Sequence, residues 1–99
     1  MANIAYIGDE PTAAAYRLAG VEAHVVDPSQ AAEALERAAG AGVELVLLSA
    51  TRAAAIPVER LEAALLGDTP LVAIVSDAHG EVALPDLARE VRTALGIEP

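Results

Sequence analysis

The apolar positions fall into short continuous runs separated by longer stretches of helical period. Ile4–Ile7 is an apolar run ending at Gly8-Asp9, which predicts a strand and a turn. Pro11–Ala19 follows as a helix. Pro11 suits the first helical position, where its missing N–H has no intrahelical partner, and Gly20 stops the helix. Glu22–Val26 predicts a second strand, with Ala23 and Val25 on one side and Glu22 and His24 on the other. That mixed pattern suits the edge of a sheet.

Asp27-Pro28-Ser29-Gln30 opens a second helix: Asp27 caps it, Pro28 sits at N1, and Gln30 at N3 reaches back as in a capping box. Ala31, Ala34, Leu35 and Ala38 then line one face at i, i+3, i+4, i+7. Glu33 and Arg37 are spaced for an ion pair on the solvent side, and Gly40-Ala41-Gly42 ends the helix. Val43–Leu48 is almost unbroken aliphatic sequence, expected of a central strand covered on both faces. Ser49–Ala55 reads as irregular or short helical. Pro57–Leu66 reads as a helix with Val58, Leu61 and Leu65 inward, closed by Gly67. Asp68-Thr69-Pro70 is a turn into a fourth buried strand, Leu71–Val75, and Ser76–Ala83 is a polar loop. A last helix is expected over Pro85–Leu95, with Leu84, Leu87, Ala88, Val91 and Leu95 on one stripe and Gly96 as its end. Asp86 near its start and Arg92 near its end match the helix dipole.

The order is β-α-β-α-β-α-β-α. Short parallel strands joined by crossover helices require helices on both faces. The expected fold is therefore α/β: a small flavodoxin-like, receiver-like three-layer sandwich with a four-stranded parallel sheet of order 2-1-3-4. The 99 residues make one domain, 1–99, with no internal repeat or linker.

Composition narrows the chemistry. Ala fills 24 positions, while Phe and Trp are absent, so helices can approach the sheet closely but the core is thin. Without Cys there is no disulfide framework, thiolate chemistry or Cys-type zinc site. Without Lys there is no Schiff-base chemistry and no Walker-type phosphate lysine. The formal charge of −9 argues against nucleic acid and anionic membrane as partners. No apolar run reaches the roughly 18–20 residues needed to span a bilayer. The start lacks a basic signal-peptide region, so the expected location is cytoplasmic. These exclusions favour a non-enzymatic module without cofactor or metal.

The carboxyl edge of such a sheet is where ligands usually bind. Here it gathers Gly8, Asp9 and Glu10, then Ser49, Thr51 and Arg52, then Ser76, Asp77 and His79. Asp9-Glu10 has the look of the acidic pair that holds Mg²⁺ in phosphoacceptor receiver domains. The Asp expected after strand 3 is replaced by Leu48-Ser49, and the Lys expected after strand 4 has no counterpart. Asp9 then reads as a turn or cap residue. Gly8-Asp9-Glu10-Pro11 is not a dinucleotide-binding glycine pattern, and no P-loop occurs. Tyr6 and Tyr16 are the sole aromatic candidates for a flavin, and core or rim packing suits them better. His24 and His79 lie on separate elements and make a poor metal site. A Ser49–His79–Asp77 hydrolase is conceivable from the shared edge, but Ser49 lacks the glycines of a nucleophile elbow.

One cluster carries more information. Ile4-Ala5-Tyr6-Ile7-Gly8-Asp9 leads to Thr12 and then to Tyr16-Arg17-Leu18-Ala19-Gly20. Near the other end stands Leu87-Ala88-Arg89-Glu90-Val91-Arg92-Thr93-Ala94-Leu95-Gly96. Between them, Glu44–Leu48 and Thr69-Pro70-Leu71-Val72 fall at matching places. Together these resemble the F subunit of the V/A-type rotary ATPases across essentially the whole chain. Ala15 stands where that family often has Gly, and Val75-Ser76-Asp77 stands where it often has Ile-Pro. The resemblance implies a non-catalytic rotor component on the central stalk. It would bind the long coiled coil of the D subunit, work beside the other rotary ATPase subunits, and contribute to coupling or regulation of ATP hydrolysis, synthesis and ion transport. It also implies that the carboxyl-terminal helix, 84–97, packs on that partner. Leu84, Leu87, Arg89, Val91, Arg92 and Leu95 are the corresponding partner-binding candidates, and Arg17 is a further one that reads equally as a surface contact or as half of an intramolecular salt bridge. An apolar stripe left exposed there invites self-association of the isolated chain. The competing reading is a stand-alone receiver-like module that binds another protein without phosphoacceptor chemistry.

Overall fold

Glycines, prolines and the change of hydrophobic period divide the chain into the expected elements. The computed structural model describes residues 3–76. In order these are β1 (Ile4–Gly8), α1 (Glu10–Leu18), β2 (Glu22–Val25), a 3-10 turn (Pro28–Gln30), α2 (Ala31–Gly40), β3 (Leu45–Ser49), α3 (Ala50–Ala54), α4 (Val58–Leu66) and β4 (Leu71–Val75). The strands form one parallel sheet of order β2-β1-β3-β4, the expected flavodoxin-like arrangement. The last helix, with Leu84, Leu87, Arg89, Val91, Arg92 and Leu95, lies outside the described residues, as do Asp77 and His79.

Register decides what each face carries. Ala5, Val46 and Val72 stand abreast across β1, β3 and β4, and so do Ile7, Leu48 and Ile74. Side chains alternate along a strand, so these six share one face, the inner one. Ala31, Ala34, Leu35 and Ala38 of α2 and Leu61 of α4 pack on it with Ala50 and Ala53 of α3. All four expected inward residues of α2 are buried. Alanine at these contacts lets the helices sit close to the aliphatic strands, which is how a chain without Phe or Trp closes its core.

The outer face carries Tyr6 and Gly8 of β1, Leu45 and Leu47 of β3, and Leu71, Ala73 and Val75 of β4. α1 covers it over β1 and β2, with Ala13 buried and Tyr16 stacked on Tyr6. Coverage thins toward β4. Leu45, Leu47 and Val75 are half-buried, Ala73 is exposed, and Leu71 is 59% exposed. The expectation of a buried fourth strand is thus corrected. In the described sheet β4 is an edge strand packed through Val72 and Ile74, and among the described residues no helix covers its other side, where Leu71 and Ala73 are exposed. Val58 also departs from expectation. It is the first residue of α4 and 45% exposed, so the inward stripe begins at Leu61.

The helix ends follow local rules with two differences. α1 ends in a Schellman motif: Val21 N–H donates to Tyr16 O and Gly20 N–H to Arg17 O, both at 3.0 Å. The motif needs a left-handed residue, and Gly20 supplies φ of 88°. Before α2, Asp27 caps the 3-10 turn by accepting from Ser29 N–H at 3.0 Å and Ser29 Oγ at 2.6 Å. Ser29, two residues on, satisfies the carboxylate, and Gln30 makes no side-chain cap. These bonds hold the Asp27 carboxyl below its ordinary pKa. The ion pair of α2 uses Glu36 with Arg60 of α4 instead of Glu33 with Arg37, tying two helices together.

Candidate functional site

The carboxyl end of β1 is built around a buried tyrosine. Tyr6 and Gly8 are two residues apart on a strand and so point to the same face. The Tyr6 ring passes over Gly8. A Cβ there would collide with the phenol and stand 2.8 Å from Ser49 Cβ, so only glycine fits. The ring is fully buried, and its hydroxyl donates to Asp9 Oδ1 at 2.8 Å. Asp9 N–H donates back to the Tyr6 hydroxyl at 3.3 Å. On the other side Tyr16 stacks on Tyr6 with ring centroids 4.7 Å apart.

This environment holds the phenol neutral. Burial, then the bond to the Asp9 side chain, pushes the Tyr6 pKa up to about 12, against smaller opposing contributions from Asp9 N–H and Thr12. Asp9 occupies the N-cap position of α1, as expected of a turn residue, but its side chain makes no cap bond. It serves the tyrosine instead. Tyr6, Gly8, Asp9, Thr12 and Tyr16 therefore form one clasp between β1 and α1.

The clasp separates the acidic pair. Asp9 turns inward to Tyr6, while Glu10 is exposed and pairs with Arg17 at 3.3 Å. The two carboxylates do not converge on a common point. Among the described residues no group of three or more His, Cys, Asp or Glu is placed to hold a metal ion. The two tyrosine rings stack on each other with 30° between their planes.

Ser49 has a structural duty too. It is fully buried, and its Oγ caps α3 by accepting from Arg52 N–H at 3.3 Å. Arg52 Nε donates to Val26 O and its Nη1 to Thr51 Oγ1, both at 2.9 Å, which ties α3 to the segment after β2. A buried cap hydroxyl is poorly placed as a nucleophile, and Ser76 alone of the strand 4 trio is described, as an exposed residue.

Arg17 is the one partner-binding candidate within the described residues. Besides pairing with Glu10, its Nη2 donates to Ala23 O of β2 at 3.3 Å. The side chain keeps 49% of its surface in solvent. It lines a shallow groove of about 620 Å³ along β2, together with Glu22, His24 and Arg37. His24 is itself exposed and lies 3.2 Å from Glu22.

Spacing alone puts Tyr6 in the core or at its rim and does not give its bond to Asp9. The signal was present: Tyr-x-Gly-Asp at a strand end puts a ring over a glycine and its hydroxyl beside the next carboxylate.

The clasp coincides with the most informative sequence cluster, Gly8–Gly20. The family model for the ATP synthase (F/14-kDa) subunit matches residues 4–91. No curated protein matches the chain significantly. Among the described residues no helix is long and apolar enough to cross a membrane. The matched stretch takes in every strand and helix described above, and the chain belongs to the family of the ATP synthase (F/14-kDa) subunit, which is the F subunit of the V/A-type ATPases.

Proposed function

We propose that this chain is a non-catalytic rotor component of the central stalk, on the cytoplasmic side of a membrane-bound V/A-type ATPase. It binds the coiled-coil D subunit and contributes to coupling or regulation of ATP turnover and ion transport. The observation that carries this reading is the family match over 4–91, which spans the clasp and most of the sequence expected to form the last helix. Two features agree with it. The polar groups at the carboxyl edge of β1 and β3 are used in holding the fold. A −9 chain also suits a protein partner that supplies positive charge.

Leu84, Leu87, Arg89, Val91, Arg92 and Leu95 are the proposed contacts in the last helix, and Arg17 is a further one beside β2. The full-length chain, mixed with the purified D subunit of the same source, is expected to elute as a stable complex in size-exclusion chromatography. Replacing Leu87 and Val91 by Asp is expected to weaken that complex at least tenfold. A folded chain that forms no complex with the D subunit overturns the proposal.

A further inference from the structure

Strand order puts β2 at one end of the described sheet, with β1 on one side and no described strand on the other. Backbone groups along a strand point alternately to either side. Val26 N–H donates to Gly8 O at 3.3 Å, so His24 and Val26 turn their backbone groups toward β1. Ala23 and Val25 turn theirs outward, and Arg17 Nη2 reaches Ala23 O from that outer side. No described strand pairs with the N–H of Ala23 or with either backbone group of Val25, whose side chain is 43% exposed. No proline interrupts Glu22–Val26 to blunt this edge.

We infer that the β2 edge takes an extended acidic segment of another protein as a fifth strand. Main-chain bonds to Ala23 and Val25 would hold it, and a carbonyl has two lone pairs, so Ala23 O can accept from it and keep Arg17. The groove beside the edge receives every second side chain. Glu22 and His24 stand level with Ala5 and Ile7 and therefore project to the inner face, opposite Ala34, Arg37 and Ala38 of α2 across the groove. The two alanines are small enough to leave room there.

Charge selects the occupant. The chain is −9, with six arginines in all, and two of them line this groove. Arg17 pairs with Glu10, and Glu22 lies against His24. Arg52 and Arg60 are engaged inside the fold, on Val26 O and on Glu36. Arg37 is exposed and forms no ion pair among the described residues. It stands ready for a carboxylate from the added strand. A second copy fits poorly, since pairing two β2 edges brings together two chains of −9. The inference concerns β2 and α2 and does not rest on the last-helix contacts proposed above.

The probe is a capped seven-residue peptide of alternating glutamate and valine, labelled at one end and titrated into the full-length chain. Fluorescence anisotropy gives its Kd, and amide NMR spectra give the residues it touches. It is expected to bind at least tenfold more tightly than the same peptide with lysine for glutamate, with the largest shifts at the amides of Ala23 and Val25. Arg37→Gln, at an exposed helix position, is expected to weaken binding at least threefold. N-methylation of every second residue blocks one edge of the peptide, and at least one of the two such peptides is expected to bind fivefold or more weakly. Absence of binding at millimolar peptide, equal binding of the lysine peptide, or shifts away from β2 and α2 overturn the inference. Undiminished binding by Arg37→Gln or by both methylated peptides overturns it too. None of these results bears on the complex with the D subunit, which is read through Leu87 and Val91.

Discussion

The inner and outer faces of the sheet come from the same strands and are stabilised by different means. On the inner face, Ala5, Ile7, Val46 and Leu48 are wholly removed from solvent under helices rich in alanine. On the outer face, Tyr6 is equally buried, but Leu71 across the sheet keeps 59% of its surface exposed. Burial there depends on one polar clasp over β1. The inner face is a continuous apolar layer, in which each contact is modest and the sum is large. The outer face concentrates its order in Tyr6, Gly8 and Asp9, where one misplaced atom matters. The two should therefore fail differently when altered.

The largest effect belongs to the inner face. Leu48 is fully buried at the centre of β3 and touches the layer formed by α2, α3 and α4. Leu48→Ala is expected to cost about 2–5 kcal/mol, through lost transfer energy and the cavity left behind. Urea unfolding followed by circular dichroism measures it. A loss below about 1 kcal/mol would show that the inner layer is not the principal core and would break the contrast between the faces.

The clasp comes next. Gly8→Val places atoms where the Tyr6 ring lies, so the ring must move or β1 must shift. The expected loss is about 1–3 kcal/mol, with a changed near-ultraviolet tyrosine signal as the specific mark. Tyr6→Phe keeps the ring and removes its bond to the buried Asp9, at a cost of about 1–3 kcal/mol near neutral pH. Its pH dependence is sharper still. The ordinary tyrosine pKa is 10.0, and folding raises that of Tyr6 to about 12. Below pH 10 the phenol is neutral in both states and the stabilisation is fully present. Between about pH 10 and 12 the unfolded chain loses the proton that the native chain retains, so stability falls as pH rises, by roughly 3 kcal/mol in all. Tyr6→Phe should remove that part of the slope. An unchanged slope would mean that the phenol is not held by the clasp.

The contrast also explains what could be read from the sequence. Strand order and helix positions were legible because Ile4–Ile7, Val43–Leu48 and Leu71–Val75 are short aliphatic runs between segments of helical period. The inward stripe of α2 was legible for the same reason. Coverage was not. Leu71-Val72-Ala73-Ile74-Val75 reads alike whether one face or both are buried, since every residue is apolar and alternation gives no signal. Val58 reads as inward because periodicity marks a stripe without saying which end of a helix the neighbouring layer reaches. In the candidate site, the sequence alone places Gly8, Asp9 and Ser49 at the carboxyl edge of the sheet. Their shared role needed the third dimension. Tyr6 links Gly8 and Asp9 through a ring path that spacing permits but does not require.

The smallest effect tests where the outer layer ends. Leu18 is the last residue of α1 and 93% exposed, though it belongs to the run Tyr16-Arg17-Leu18-Ala19-Gly20. Two residues earlier Tyr16 faces inward onto Tyr6, and a 3.6-residue period carries Leu18 round to the solvent side. Leu18→Ala removes a side chain that buries almost nothing, and alanine is at least as good a helix former. The expected change is within about 0.5 kcal/mol, measured by the same urea titration. A loss above about 1 kcal/mol would mean that Leu18 is covered in solution. The outer layer would then extend past Tyr16 to the amino edge of the sheet, and the thin side of the molecule would lie over β3 and β4 alone.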